Sequence, residues 1–285
     1  MKLNETTIGP AAAKIAKRWR LDIGDRVAET PRAYVYRVER REGPAALKIY
    51  KRIGAAGEGA GIQFLRNLDT GIGVEVYRTT ALRSAVLMEW LEGEPLDHLA
   101  KRGKDKEATL LAGQVAHAIG EARFRYPFLY KRIAPSLVRD LRLCQTKPDG
   151  SEPHPDLAHT IALVSHLIVT TPQEQVVHGD LRFSNIFLTA QGPRLIDPKG
   201  FRADPAFEFS KTLIDPYAGT SLAAFETRIA QRAPVLANAI QTSPKRIIQW
   251  AAVLLAHTVI YGGRKRKTDH PLTPYLATLL SLSAQ

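Results

Sequence analysis

The hydrophobic pattern of the chain changes character near residue 90. Before it, apolar residues fall in short strand-length runs; after it, most recur at the three- and four-residue spacing of helices. Met1–Arg20 is amphipathic and basic with Pro10 at a suitable helix start, and predicts a helix over Leu3–Trp19. Asp25–Trp90 predicts a mostly antiparallel sheet, with strands near Arg26–Glu29, Tyr34–Val38 and Pro44–Tyr50. A helix opened by Glu58 crosses it, with Ile62, Phe64, Leu65 and Leu68 for its apolar face. Leu91–Pro95 is a link, and Leu96–Arg123, Ala134–Gln145 and Pro155–Thr170 follow as helices. Lys147–Pro155, rich in Pro, Asp and Gly, predicts a surface loop. The short runs Gln175–Val177, Ile186–Thr189 and Pro193–Ile196 predict one small sheet. Helices near Pro205–Ile214, Ser221–Ile240, Pro244–Tyr261 and Pro271–Ser283 complete the chain, with Arg264–Lys267 as a solvated connector. The class is α+β.

The small-sheet region also carries the chemistry. Val176–Gly200 reads VVHGDLRFSNIFLTAQGPRLIDPKG, which sets Asp180, Asn185 and Asp197 between strand-like runs. Phosphoryl transfer requires such a trio: a carboxylate that takes the proton of the acceptor hydroxyl, and an amide and a second carboxylate that hold magnesium on the phosphates. Asp and Asn five apart have the spacing of a kinase catalytic loop. Any one of these residues alone would be read as a turn or a helix cap. Their order, with strands between, favours the catalytic reading.

Kinases also need a strand lysine for the α- and β-phosphates and a helix glutamate to hold it. Ala46-Leu47-Lys48 supplies the first, and Glu58, ten residues on, is the expected partner. Ser84–Gly93 is an apolar strand running into Glu-Trp-Leu-Glu-Gly. In that position Met88 backs the purine slot, while Glu89 and Leu91 present backbone N–H and C=O groups to adenine; Trp90 is a packing residue. The turn Thr30-Pro31-Arg32-Ala33 has no glycine, so the Thr30 hydroxyl, with Arg32 for charge, is the candidate phosphate contact there.

These motifs resemble the aminoglycoside phosphotransferase-type small-molecule kinases over roughly residues 25 to 262. His178-Gly179-Asp180 stands where protein kinases have His-Arg-Asp, and Asp197-Pro198-Lys199-Gly200 is similar to the streptomycin 6-kinase and hydroxyurea phosphotransferase branch. The chain departs from that branch at Arg182-Phe183-Ser184 and at Glu208, where an Asp is usual. The resemblance implies a bilobal protein-kinase-like fold. A small antiparallel-sheet lobe with one helix would span residues 1–90, and a larger, mainly helical lobe would span 91–285. It further implies ATP and Mg2+ as cofactors, Asp180 as base, Asn185 and Asp197 as metal ligands, and Lys48 as phosphate anchor. Arg182, two past the base, takes the place of a lysine that reaches the γ-phosphate in protein kinases. Glu208 steadies the catalytic loop. Asp204-Pro205 follows Asp197 too closely for a peptide-docking segment, so the expected acceptor is a small-molecule hydroxyl.

Composition narrows the alternatives. Forty basic against 28 acidic residues give a net charge of +12, so a nucleic-acid-binding protein is the rival class. The basic residues are dispersed and no nucleic-acid motif is apparent; a noncatalytic kinase-fold protein is the third reading. One cysteine, Cys144, excludes an internal disulfide, and with no secretory signal the expected location is cytoplasmic. Trp250–Tyr261 is too short to span a bilayer. From Phe201 on, ten Lys and Arg face five acids, which predicts a neutral or anionic acceptor rather than a polycation.

Overall fold

The computed structural model describes residues 9–51, 58–82, 84–146, 152–216, 220–263 and 270–284. Its first lobe opens with helix α1 (Pro10–Trp19), which starts at the expected proline; the preceding part of the predicted helix lies outside the described residues. Strands β1 (Asp22–Glu29), β2 (Ala33–Arg40) and β3 (Gly43–Tyr50) follow, then helix α2 (Glu58–Asn67), β4 (Val76–Thr79) and β5 (Ala85–Glu89). They form one sheet in the order β1-β2-β3-β5-β4, with every pair antiparallel.

Period-two alternation gives this sheet two buried faces. Ala45, Leu47 and Ile49 of β3 and Ala85 and Leu87 of β5 pack with Ala12 and Ala16 of α1. Val86 and Met88 pack on the opposite face with Ala46, Tyr50 and Ile62. Lys48 shares the β3 face of Ala46 and Tyr50. Helix α2 is wedged between the lobes: Ile62 joins the sheet cluster, while Phe64, and Leu68 just past the helix end, belong to the core of the second lobe.

The second lobe begins with β6 (Gly93–Pro95) and helices α3 (Leu96–Lys101) and α4 (Asp105–Glu121). The pattern predicts one helix here; the chain instead breaks at Gly103, which sits at φ +84° where a helix cannot continue. The segment then runs through β7 (Lys131–Arg132), α5 (Ile133–Arg142), α6 (Leu157–Val169), β8 (Gln175–Val177), β9 (Ile186–Thr189), β10 (Gly192–Leu195) and β11 (Phe201–Ala203). A 3-10 turn at Pro205–Phe209 precedes α7 (Ser210–Ile214), so the predicted helix there is split into two windings. Helices α8 (Leu222–Ala239), α9 (Pro244–Ala256) and α10 (Thr273–Ala284) finish the fold. Ser221 and Ser243 cap α8 and α9 through their hydroxyls. Helix α9 is the hub: Trp250 is 1 % exposed and meets Phe207 edge-on at 5.6 Å. The Lys147–Pro155 loop lies mostly, and the Arg264–Lys267 run wholly, outside the described residues.

One buried charge ties three elements of this lobe together. Arg232 of α8, 1 % exposed, donates to both carboxylate oxygens of Asp105 at the start of α4. Its remaining nitrogen donates to the carbonyls of Thr212 and Asp215, each at 2.6 Å. The guanidinium also lies 4.5 Å from the Phe183 ring. Replacing it strands two carbonyls and a carboxylate. Arg232→Met should cost about 3–5 kcal/mol and lower Tm by about 5–10 °C in a thermal melt. Asp105→Asn, which keeps one acceptor for the guanidinium, should cost less than half as much.

Candidate active site

The sequence pattern places the three short runs around Asp180, Asn185 and Asp197 in one sheet; the structure divides them between two. Strands β9 and β10 form a hairpin extended by β6, with Gly93 opposite Thr189 and Pro95 opposite Phe187. Strand β8 pairs with β11, Val177 opposite Phe201, and β11 also pairs with β7. The physical reason is room: strands from the interlobe link and from beyond Gly200 take the edges that local pairing would have used.

His178 joins the two sheets. It is fully buried, its N–H donates to Glu208 Oε2 at 2.6 Å, and its carbonyl accepts from Lys199 N and Gly200 N at 2.8 and 3.1 Å. The ring Nε2 donates to the Ile196 carbonyl at 2.8 Å, and Nδ1 accepts from Asp180 N at 3.2 Å. That pattern requires a neutral imidazole, and burial lowers its pKa to about 4. Glu208, 3 % exposed, also accepts from Gly179 N at 3.1 Å. Burial pushes its carboxyl up to about 7 against the pull of the two N–H groups. Gly179 has φ +74°, and a Cβ there would lie 2.5 Å from Phe201 Cδ2, so no other residue fits between histidine and aspartate.

From this anchor the candidate residues converge. Asn185 Nδ2 donates to the Asp180 carbonyl at 2.9 Å, and Ile196 N donates to the Asn185 carbonyl at 3.0 Å, so loop and hairpin are stitched together. Asp197 takes a left-handed conformation, φ +56°, which Asp tolerates better than most residues. Its Oδ1 meets Lys48 Nζ at 2.6 Å across the cleft. The expected Glu58 opens α2, and its side chain lies outside the described residues. Three residues into that helix, a Cβ on Gly61 would sit 2.0 Å from the Pro198 carbonyl, so α2 lies directly on the Asp197–Gly200 turn. Asp180 Oδ1 accepts from Lys211 Nζ at 2.6 Å and from Arg182 Nε at 3.2 Å. Burial alone would raise the Asp180 pKa, but Lys211, with Arg182 and Lys199, holds it below the usual carboxylate range.

Lys211 is a further candidate, bonded to Asp180, that motif reading does not reach. A signal exists: it lies three residues past Glu208 at the helical turn that faces the loop, so the two side chains point the same way.

The side expected to take the nucleotide is apolar at the back. Met88, 8 % exposed, packs with Val86, Ala46, Leu91 and Ile196. Glu89 N donates to the Glu75 carbonyl, and the Glu89 carboxylate holds Arg194 of β10 at 2.5 Å, latching the interlobe link to the hairpin. Arg37 stacks on Trp90 at 5.2 Å, in line with a packing role for that ring. The Thr30 hydroxyl closes its own turn, donating to the Ala33 carbonyl and accepting from Ala33 N at 2.9 Å. Arg32 is exposed.

A family model described as aminoglycoside/hydroxyurea antibiotic resistance kinase matches residues 18–268. The chain belongs to this family. No curated protein sequence matches it. Solved structures share the kinase's fold at low identity. A choline/ethanolamine kinase family protein from Mesorhizobium loti is 13% identical with a TM-score of 0.66, and the match covers 96% of this chain and 92% of that one. Choline kinase LicA from Streptococcus pneumoniae is 14% identical at a TM-score of 0.62, covering 96% and 97%. A thermostable mutant of aminoglycoside phosphotransferase APH(4)-Ia, in a ternary complex with AMP-PNP and hygromycin B, is 13% identical at 0.67, covering 97% and 98%. Among the described residues of this kinase, no helix is long and apolar enough to cross a membrane.

His178 and Glu208 give the kinase opposed pH dependences. His178, depressed from 6.5 to about 4, contributes stability that is complete above pH 6.5 and is lost as the pH falls toward 4. Glu208, raised from 4.5 to about 7, contributes stability that is complete below pH 4.5 and is lost as the pH rises to 7. Denaturant melts of two variants separate these effects. The deficit of His178→Gln should shrink by up to about 3 kcal/mol on going from pH 6.5 to 4. That of Glu208→Gln should shrink as the pH rises from 4.5 to 7.

Proposed function

We propose that the chain transfers the γ-phosphoryl group of ATP to a hydroxyl of a small molecule, with Asp180 as the base. The observation that carries this reading is the convergence of Lys48 from the sheet lobe on Asp197 at 2.6 Å, with Asn185 hydrogen-bonded to the backbone of Asp180 beside it. Adenine would lie against Met88, Ala46 and Ile196, and the Leu91 N–H, which takes part in no backbone bond among the described residues, would face its edge. Lys48 would serve the α- and β-phosphates.

The donor set suits magnesium. Asn185 spends its amide nitrogen on Asp180, which leaves Oδ1 as its ligand atom, and Asp197 spends Oδ1 on Lys48, which leaves Oδ2. Magnesium is bound through one or two protein oxygens plus substrate phosphates rather than in an all-protein cage. When bound, the ion neutralises charge on the transferring phosphates.

Asp180 is ionised at neutral pH, held acidic by its cations. Both its hydrogen bonds fall on Oδ1, so Oδ2 is the oxygen available to a hydroxyl proton. A loose transition state asks little of the base until the new bond is forming, so an acidic carboxylate suffices. Hygromycin B accompanies the similar APH(4)-Ia structure, and two other similar structures are named as choline or choline/ethanolamine kinases; this chain's own acceptor is to be found by screening ATP consumption over hydroxyl compounds, with mass spectrometry of the product. Asp180→Asn should lower kcat by about 10²–10⁴-fold while Mg-ATP binding, followed by calorimetry, stays largely intact. Asp197→Ala should weaken the magnesium-dependent part of nucleotide binding. Near-wild-type turnover by Asp180→Asn would remove the basis of the assignment, and failure to bind Mg-ATP would leave a noncatalytic kinase-fold protein.

A further inference from the structure

The turn between α4 and β7 holds its apolar side chains out to solvent. Tyr126, Phe128 and Leu129 are 59%, 67% and 66% exposed. Among the described residues Tyr126 and Phe128 are the only exposed aromatic side chains. Their rings meet edge to face, with centroids 6.0 Å apart. Single exposed apolar residues are ordinary, but a cluster such as this marks a contact surface.

Both ends of the turn are anchored. Phe124 before it packs on Phe64 at 5.0 Å and edge-on against Tyr130 at 5.9 Å. Tyr130 is buried, its hydroxyl accepts from Asn67 Nδ2 at 3.4 Å, and the next two residues pair with β11. Between these anchors Leu129 N donates to the Tyr126 carbonyl at 3.0 Å, and Tyr130 N to the Pro127 carbonyl at 3.2 Å. Tyr126 sits at φ +59°, a costly conformation for an aromatic residue, with its ring beside Phe128 rather than in the core. The ten residues Arg123–Arg132 contain four cations and no acid. Arg132 is bonded to Glu174 at 2.7 Å, while Arg123, Arg125 and Lys131 are exposed on either side of the apolar tip. An aromatic side chain carries about 150–250 Å², so the tip offers about 300–400 Å². That is about half of the ~800 Å² that each partner gives to a stable protein–protein interface. A bilayer surface makes no such demand: it takes aromatic rings at the headgroup level and draws in neighbouring Lys and Arg through anionic lipid.

We propose that this turn docks the protein on the surface of an anionic bilayer, with Tyr126, Phe128 and Leu129 entering the headgroup region and Arg123, Arg125 and Lys131 meeting lipid phosphates. The chain lies on such a membrane and does not span it. Tyr130 Cε1 is 3.2 Å from the place a Cβ on Gly200 would take. The docked face therefore adjoins the Asp197–Gly200 turn, and the candidate active site would work close to the bilayer.

Sedimentation of the full chain with vesicles measures this. Vesicles of phosphatidylcholine alone are compared with vesicles holding an equal share of phosphatidylglycerol, at low and high salt. The anionic vesicles should bind the protein, less so at high salt, and the neutral ones should bind it little. A net charge of +12 can itself favour anionic vesicles, so variants of the turn carry the decision. Their side chains are exposed, and their thermal melts should match the wild type. Phe128→Ser combined with Leu129→Ser should weaken binding by about tenfold or more, and Arg123→Gln and Arg125→Gln by about fivefold each. In Phe128→Trp the added fluorescence should shift to the blue on anionic vesicles as the ring leaves water. An affinity unchanged in the Phe128/Leu129 double variant, no blue shift, or no binding to anionic vesicles would each overturn the proposal. So would a dimer in light scattering that the double variant converts to monomer, since the turn would then serve a second copy of the chain.

Discussion

Every polar group of His178 is spent. Its N–H goes to Glu208, its carbonyl to Lys199 and Gly200, and its ring to Asp180 N and the Ile196 carbonyl. Because the residue is fully buried, none of these bonds can be exchanged for water. The His178–Asn185 loop and the Asp197–Gly200 turn are therefore held at one point. Phe64 of α2 packs edge-on against the same ring, at 5.8 Å, and extends the constraint to the helix between the lobes.

The lobes themselves meet through backbone as much as through side chains. Leu195 of β10 exchanges hydrogen bonds with Ile72 and Val74, in the stretch between α2 and β4, while β6 covers the other edge of the hairpin. The pair Arg194–Glu89 reinforces this join, and Arg194 also reaches the Gly73 carbonyl. The hairpin that carries the metal-ligand candidates is thus gripped from both lobes at the back of the cleft. The cleft side is left to Lys48 and Asp197 and to the close approach of Gly61 to Pro198. This division places the stiff contacts away from the candidate site and the charged ones within it.

Much of this was legible in the residues alone. Asp180, Asn185 and Asp197 stood out because transfer chemistry needs those groups in that order, and Lys48 because Ala46-Leu47-Lys48 is a strand lysine of the kind such chemistry needs; the fold brings the four side by side. The antiparallel sheet and the helical second half followed from periodicity. Lys211 escaped, since no spacing relates it to Asp180, thirty-one residues earlier; only the fold of Glu208 and α7 against the loop brings them to 2.6 Å. The break at Gly103 was hidden by apolar residues that keep a helical rhythm on both sides of it.

What the sequence determined by itself is local: which segments alternate, where helices cap, and which side chains are able to do phosphoryl chemistry. These follow from backbone sterics and from functional groups that keep their identity in any fold. Pairing was decided only by tertiary structure. A strand of three or four residues has too few hydrogen bonds to choose its partner, so β8 and β9 could join different sheets once β11 and β6 were within reach. Charge was decided in the same way. A net charge of +12 says nothing of where it collects, and it is folding that sets Lys211 and Arg182 against the one carboxylate of Asp180.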